Sequence, residues 1–327
     1  MRRGELSPGL LRRIVERLGL SGAPGVDHEG LRALYAGWCL NVPFDNVRKF
    51  IALRTPDAEL PGRDAGEFFE QWLEHGAGGT CWATSNALSS LAGALGFSAR
   101  RVAGSMRDTG VLSHGTVKVR TEGRDWLVDT SMLWGIPVPL GDQATLHSEG
   151  AFVVEVEPAA DSHLFWSGMR PGTADLPCRL LVDPADDTLY DARHEASRLR
   201  SPFNNRLYAH RNRPAEVVIL NGHTRTSHTA DGQRSHELTG DEVCRALHED
   251  IGISEALIRQ WVRCGGLDAA FEGPKCAPMP EIAQKPPSQR ECKDALSHCT
   301  DSAPPPFPAS HLRSAMARSV GLTGLVM

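Results

Sequence analysis

The sequence predicts an α+β fold: an N-terminal helical bundle, an antiparallel β-barrel-like middle domain, a small α/β third unit and a Pro-rich tail. Two changes of pattern carry this reading. Apolar residues recur every three or four positions up to about residue 97, then alternate in twos as far as about residue 200. From Asp268 onward periodicity disappears among prolines. The expected divisions are therefore 1–97, 98–200, 201–267 and a disordered 268–327.

In the first segment, Leu10, Leu11, Ile14, Val15 and Leu18 form one stripe between Leu6 and Leu20, opposite Arg12, Arg13, Glu16 and Arg17. This is an amphipathic helix that Gly19 can end. Asp27 is placed to cap a second helix running through Leu31, Leu34 and Tyr35 to Cys39, which Pro43 stops. Val42, Phe44 and Val47 are expected to pack inward. Phe68, Phe69 and Trp72 mark a short helix over Glu67–Glu74, and Gly76 to Gly79 break it. A further helix starts at Cys81, carries Leu88, Leu91, Ala92 and Leu95 at helical spacing, and closes at Gly96.

The middle segment reads as strands over 99–106, 113–120, 125–130, 151–156, 179–182 and 188–190, with a hairpin turn at Thr121-Glu122-Gly123-Arg124. Strands that succeed one another without helices point to an antiparallel sheet or barrel. Pro137 and Pro139 mark a loop and Pro158 a strand end. Beyond residue 201, Glu216 to Leu220 and His223 to Thr226 flank Asn221-Gly222, a hairpin signal. Thr239 and Glu242 have capping-box spacing for a helix that runs to Gly252, and Ile253 to Val262 is amphipathic.

Of the 327 residues, 41% are hydrophobic and 23% charged, with a net charge of -5. That describes a globular chain with no general affinity for nucleic acid. No apolar window is long enough to span a membrane, and charges interrupt the first helix where a signal peptide would be unbroken. Eight scattered cysteines lack disulfide-scaffold spacing, so a reducing cytoplasm is the expected setting.

The chemistry centres on Gly78-Gly79-Thr80-Cys81-Trp82. A helix start presents unpaired N–H groups and about half a positive charge, which suits a nucleophilic sulfur. Two glycines before it give backbone freedom and permit close approach. With the hairpin turn on Glu122-Gly123, Thr116 faces Asp129, and His114 lies diagonal to Asp129 on the same face. Cys81, His114 and Asp129 can thus supply a nucleophile, a base and a group that orients the base. A cysteine after glycines is more often a core residue, and a single His or Asp more often surface. The conjunction of all three, two of them set by one hairpin, points to catalysis.

Other constellations are ordinary by comparison. Asp183, Asp186 and Asp187 around Pro184 read as a solvated turn more readily than a cation site. Cys276, Cys292, His298 and Cys299 match no zinc spacing, and no metal is expected. Arg206, His210, Arg211 and Arg213 form a basic patch that either faces solvent or meets phosphates.

Taken together, Gly78-Gly79-Thr80-Cys81, Leu95-Gly96-Phe97, His114 and Trp126-Leu127-Val128-Asp129 resemble the arylamine N-acetyltransferase family. Leu11 to Ile14, Val42-Pro43-Phe44-Asp45-Asn46-Val47, Ser201-Pro202-Phe203 and Leu238 to Glu242 extend the resemblance from about residue 5 to 265. It implies a cysteine-protease-like catalytic core, a barrel carrying His114 and Asp129, and a third domain acting as a lid. It further implies acetyl-coenzyme A as co-substrate, an arylamine or hydrazine acceptor, and an acetyl group carried on Cys81. Candidate coenzyme contacts are Ser113, Ser131, Arg206 and Arg211.

The departures fall around the nucleophile. Where the family has aromatic, Glu, any residue, Asn after the cysteine, this chain has Trp82, Ala83, Thr84 and Ser85. After the aspartate, Thr130-Ser131-Met132-Leu133 replaces Val-Gly-Phe-Gly. Three alternatives therefore stay open: an amide synthase fed by an acyl carrier protein, a transglutaminase- or protease-like hydrolase, and a binding protein whose site has drifted.

Overall fold

The computed structural model describes residues 6–169, 176–229 and 231–272. Helix α1 (Pro8–Arg17) begins where the Ser7 hydroxyl accepts from Leu10 N–H and Pro8 takes the first helical position. Helix α2 (His28–Asn41) is capped by Asp27, whose carboxylate accepts the Gly30 N–H at 2.7 Å. A two-residue strand β1 (Phe44–Asp45) and a short helix α3 (Val47–Ala52) follow. Asp64 caps α4 (Ala65–His75), which Gly76 closes in the left-handed region, and α5 (Cys81–Ala94) completes the helical half. Tyr35, Trp38, Phe68, Phe69 and Trp72 pack with Leu88 and Leu91 of α5 in one core.

The next eight strands form one antiparallel sheet. They are β2 (Ser98–Met106), β3 (His114–Thr121), β4 (Arg124–Val128), β5 (Val138–Leu140), β6 (Thr145–Glu149), β7 (Phe152–Ala159), β8 (Ser162–Met169) and β9 (Leu176–Val182). Their order, β5-β4-β3-β2-β9-β8-β7-β6, curls into a nearly closed barrel. Helix α6 (Asp187–Ala196) then leads to a second sheet of β10 (Tyr208–Asn212), β11 (Val217–Asn221), β12 (Thr224–Thr229) and β13 (Gly232–Glu237). Its first edge is β1, which pairs with β10 through Phe44–His210 and Asp45–Ala209. The N-terminal half therefore contributes a strand to the third unit, and α3 buries Val47 and Phe50 in that unit's core. Helix α7 (Gly240–Ala246), a π-helical turn over Leu247–Ile251, α8 (Glu255–Arg263) and α9 (Gly266–Phe271) finish the described chain. No helix among the described residues is long and apolar enough to cross a membrane.

The α+β class read from the sequence holds, with five local differences. Thr188 to Tyr190 is not a strand but the first turn of α6, because the Asp186 carboxylate accepts the Leu189 N–H at 2.7 Å and starts a helix. Pro139 lies inside β5, an edge strand whose outer N–H needs no partner. Pro158 lies inside β7 rather than ending it; β6 pairs with β7 only as far as Val156, so the missing N–H breaks no bond on that side. Asn221 faces Thr224, which makes the turn Gly222-His223, one residue later than expected. Helix α9 also runs past residue 268, its Ala269 and Ala270 buried, while Cys276, Cys292, His298 and Cys299 lie outside the described residues.

At Gly115 of β3, side chains of both α5 and α6 pack closely on the barrel. A Cβ there would lie 2.4 Å from the Tyr190 hydroxyl and 2.8 Å from the Trp82 ring. Gly115→Ala is therefore expected to lower unfolding free energy by about 1–3 kcal/mol in urea titrations. Gly141→Ala, in open space, should stay within about 0.5 kcal/mol of wild type; equal effects would contradict this packing.

Candidate active site

The Gly78-Gly79 loop that leads to Cys81 is held by a buried carboxylate. Asp45 is 1% exposed; its Oδ2 accepts the Gly78 N–H at 2.7 Å and its Oδ1 the Val47 N–H at 3.0 Å. The Asp45 N–H donates in turn to the Gly79 carbonyl, and Phe44 bridges Gly79 in parallel. Burial raises the Asp45 carboxyl to about 6, against the pull of these N–H groups and of Arg48. Gly78 is needed for close approach, since a Cβ would sit 1.9 Å from the Pro43 carbonyl oxygen. Neither Gly78 nor Gly79 has a positive φ, so closeness rather than unusual backbone angles is what the glycines supply.

This loop delivers Cys81 at the first residue of α5. The Thr80 side chain makes no capping bond, which leaves the first-turn N–H groups of α5 without a side-chain cap. Cys81 is 8% exposed and lines a cavity of about 690 Å³. Behind it, Ser85 bonds both the Cys81 carbonyl and the Tyr190 hydroxyl, so Tyr190 of α6 occupies space that the small Ser85 leaves.

The β3–β4 hairpin has the register read from sequence, with Val117 opposite Val128 and Thr121 opposite Arg124. Thr116 thus falls opposite Asp129, and His114 reaches diagonally to it. His114 Nε2 meets Asp129 Oδ2 at 2.6 Å, with both side chains buried. Asp129 is fixed from all sides. Its Oδ1 accepts the Ser131 and Met132 N–H groups at 2.9 Å, and its carbonyl accepts the Tyr35 hydroxyl at 2.6 Å. Cys81 lies close enough to the His114 ring to favour its charged form. Burial disfavours charge on the imidazole, but the Asp129 carboxylate and Cys81 outweigh it and raise His114 to about 10. Burial likewise opposes charge on Asp129, and His114 with the two N–H donors overcomes it, holding that carboxyl below its ordinary range. Cys81 and His114 thus line one cavity, and Asp129 holds the imidazole from the protein interior.

The other sequence candidates divide. Ser113 and Ser131 line the cavity. The Ser113 hydroxyl accepts the Met106 N–H, whereas Ser131 Oγ is buried without a partner. Arg206 and Arg211 lie elsewhere: Arg206 bonds the Asn221 carbonyl, and Arg211 braces Ile251 at 2.7 Å. His210 is buried in β10, where burial pushes it down to about 4, and Arg213 pairs with Asp250. Asp183 pairs with Arg100 and Lys118, Asp186 caps α6 and Asp187 pairs with Arg101, so the acidic turn is committed to cations of the chain itself.

Sequence reasoning missed two features of the cavity. Phe203 and Tyr208 join Phe44 in an aromatic wall, with ring centroids 5.1 to 5.9 Å apart. Lys49, from α3, also lines the space, although a lysine after Asn46-Val47-Arg48 carries no sign of burial in the sequence.

Residues 27–164, which include Cys81, His114 and Asp129, match the sequence profile of the N-acetyltransferase family. No curated protein matches the chain significantly. Among solved structures, the arylamine N-acetyltransferase from Mycobacterium abscessus superposes with a TM-score of 0.66 at 20% identity, over 80% of this chain and 95% of that one. The Salmonella typhimurium enzyme gives 0.68 at 15% identity over 79% and 99%. Arylamine N-acetyltransferase C from Bacillus anthracis gives 0.63 at 17% over 76% and 100%. The chain thus has the arylamine N-acetyltransferase fold, and the resemblance to that family read from the sequence holds.

The electrostatics of the pair give a direct test. In wild type, His114 should keep its proton across about pH 5 to 9 in histidine NMR titrations, because its value lies at about 10. Asp129→Asn removes the charge that offsets burial, so the midpoint should fall below about 6.5. A midpoint that does not move would contradict this coupling.

Proposed function

We propose that the protein is an acyltransferase that moves an acyl group, most simply acetyl, from a coenzyme A thioester through Cys81 to an amine. The observation that carries this reading is the buried His114–Asp129 hydrogen bond, with His114 and Cys81 lining one cavity that has an aromatic wall. Each element of the reaction has a group suited to it. At rest His114, oriented by Asp129, already holds the proton as imidazolium beside the Cys81 thiolate, and that sulfur attacks the thioester carbonyl. The first-turn N–H groups of α5 stabilise the tetrahedral oxyanion. Collapse breaks the donor's C–S bond, and the departing thiolate leaves with the proton from His114. An amine then attacks the Cys81 thioester and gives a proton to the ring. Cys81 is released as the amide forms.

The aromatic wall of Phe44, Phe203 and Tyr208 supports a flat acceptor, since edge-to-face contacts add about 0.5–1.5 kcal/mol to burial. Met132 and Leu133, in place of the family's Phe and Gly, leave the acyl group and the choice between free coenzyme and carrier protein to experiment. Incubation with acetyl-coenzyme A should add the mass of one acetyl group to the intact protein. Cys81→Ala should abolish that adduct and bring arylamine acetylation to background. Acetylation that survives in Cys81→Ala would overturn the proposal.

A further inference from the structure

Lys49 has no place in the reaction just described, yet it lines the same cavity as Cys81. The chain has five lysines, of which Lys49 and Lys118 fall within the described residues. Both are buried, at 4% and 7% exposed, in opposite surroundings. Lys118 Nζ meets Asp183 at 2.5 Å and Asp125 at 3.5 Å, so two carboxylates hold it as an ammonium. Lys49 Nζ meets a hydroxyl, Ser197 Oγ at 3.1 Å, and no Asp or Glu lines its cavity. A buried ammonium without a carboxylate is costly, and losing the proton relieves that cost. Burial accordingly pushes Lys49 down to about 8, with Cys81 favouring the ammonium and Arg198 opposing it. The result is a primary amine, partly unprotonated near neutral pH, on the wall of the space that Cys81 faces.

We propose that Lys49 is a site of self-acylation, which takes the acyl group from Cys81 when no amine substrate intercepts it. The inference rests on acyl transfer through Cys81 and adds a second, internal acceptor. The lone pair of Nζ attacks the carbonyl of the Cys81 thioester. A C–N bond forms, the C–S bond breaks, and a proton passes from Nζ to His114, which restores imidazolium and thiolate. Acylation of Cys81 prepares this step, because a thioester sulfur cannot ionise and so no longer supports the ammonium of Lys49. The product is a neutral amide, which removes a buried charge that no carboxylate compensates. Because both groups line one cavity, the transfer is intramolecular, and its competitors are a bound amine and water. Arg107, Arg193 and Arg200 line the same space, but their guanidinium groups keep their protons and do not compete.

The experiment follows one acetyl group after the donor is gone. Wild type is loaded with acetyl-coenzyme A, freed of donor by gel filtration and left without amine. Intact mass and tryptic maps are read before and after hydroxylamine, which cleaves thioesters and spares amides. The acetyl group should begin on Cys81 in hydroxylamine-labile form. A hydroxylamine-resistant acetyl should then appear on Lys49, with the other four lysines unmodified. Aniline added at the start of this interval should suppress the Lys49 adduct by taking the acetyl group first. Lys49→Arg should load Cys81 as wild type does and yield no resistant adduct. The wild-type map decides the matter even where a variant fails to fold. The inference is overturned if the Cys81 thioester decays with no acetyl on Lys49, or if other lysines gain as much as Lys49. It is equally overturned if Lys49 is acetylated to the same extent in Cys81→Ala exposed to the same donor. Failure of Cys81 to load from any thioester is a different result, one that removes the acyl-transfer reading itself.

Discussion

The contact between His114 Nε2 and Asp129 Oδ2, at 2.6 Å and out of solvent, is the constraint on which the arrangement of the site depends. A carboxylate buried this completely needs several partners to stay charged. Asp129 has them: two backbone N–H groups on one oxygen and the imidazole on the other. Each partner comes from a different piece of local structure. The imidazole arrives through the β3–β4 register, and the N–H groups through the turn that continues to Leu133. The Tyr35 hydroxyl, from α2, secures the carbonyl of the same residue. Helical half and barrel are therefore joined at Asp129.

A second buried carboxylate does comparable work on the Cys81 side. Asp45 ties β1 to the Gly78-Gly79 loop and starts α3, and β1 is also the edge of the third unit's sheet. One short segment thus sets the height of Cys81, opens the way for Lys49 and positions Phe44 beside Phe203 and Tyr208. The family-like Val-Pro-Phe-Asp-Asn-Val motif has a physical explanation in these contacts. Its aspartate and asparagine are backbone anchors, with Asn46 donating to the carbonyls of Phe203 and Arg206.

Much of this was legible in the sequence where local chemistry decides structure. Asp27, Thr239 and Glu242 signal their helix ends without tertiary help, and Glu122-Gly123 sets the hairpin register that brings His114 to Asp129. Legibility failed where the decision is non-local. Thr188 to Tyr190 alternates like a strand, and only the Asp186 cap with the packing of Tyr190 on Trp82 makes it helical. Pro158 is tolerated because a neighbouring strand happens to end two residues earlier. Lys49 reads as a solvated lysine, since nothing in its neighbours announces that Ser197, 148 residues away, meets it in the interior. Arg206 and Arg211 show the converse: they lie away from the cavity, where the fold brings backbone carbonyls to them.

The central claim is that His114, held by Asp129, activates Cys81 and no other sulfur. Its most direct test is site-resolved alkylation of the native protein by limiting iodoacetamide, read peptide by peptide in wild type and in His114→Asn. The account predicts that Cys81 is modified well ahead of the remaining cysteines in wild type and loses that lead in the variant. Equal labelling of all accessible cysteines, or a Cys81 rate indifferent to His114, would contradict it.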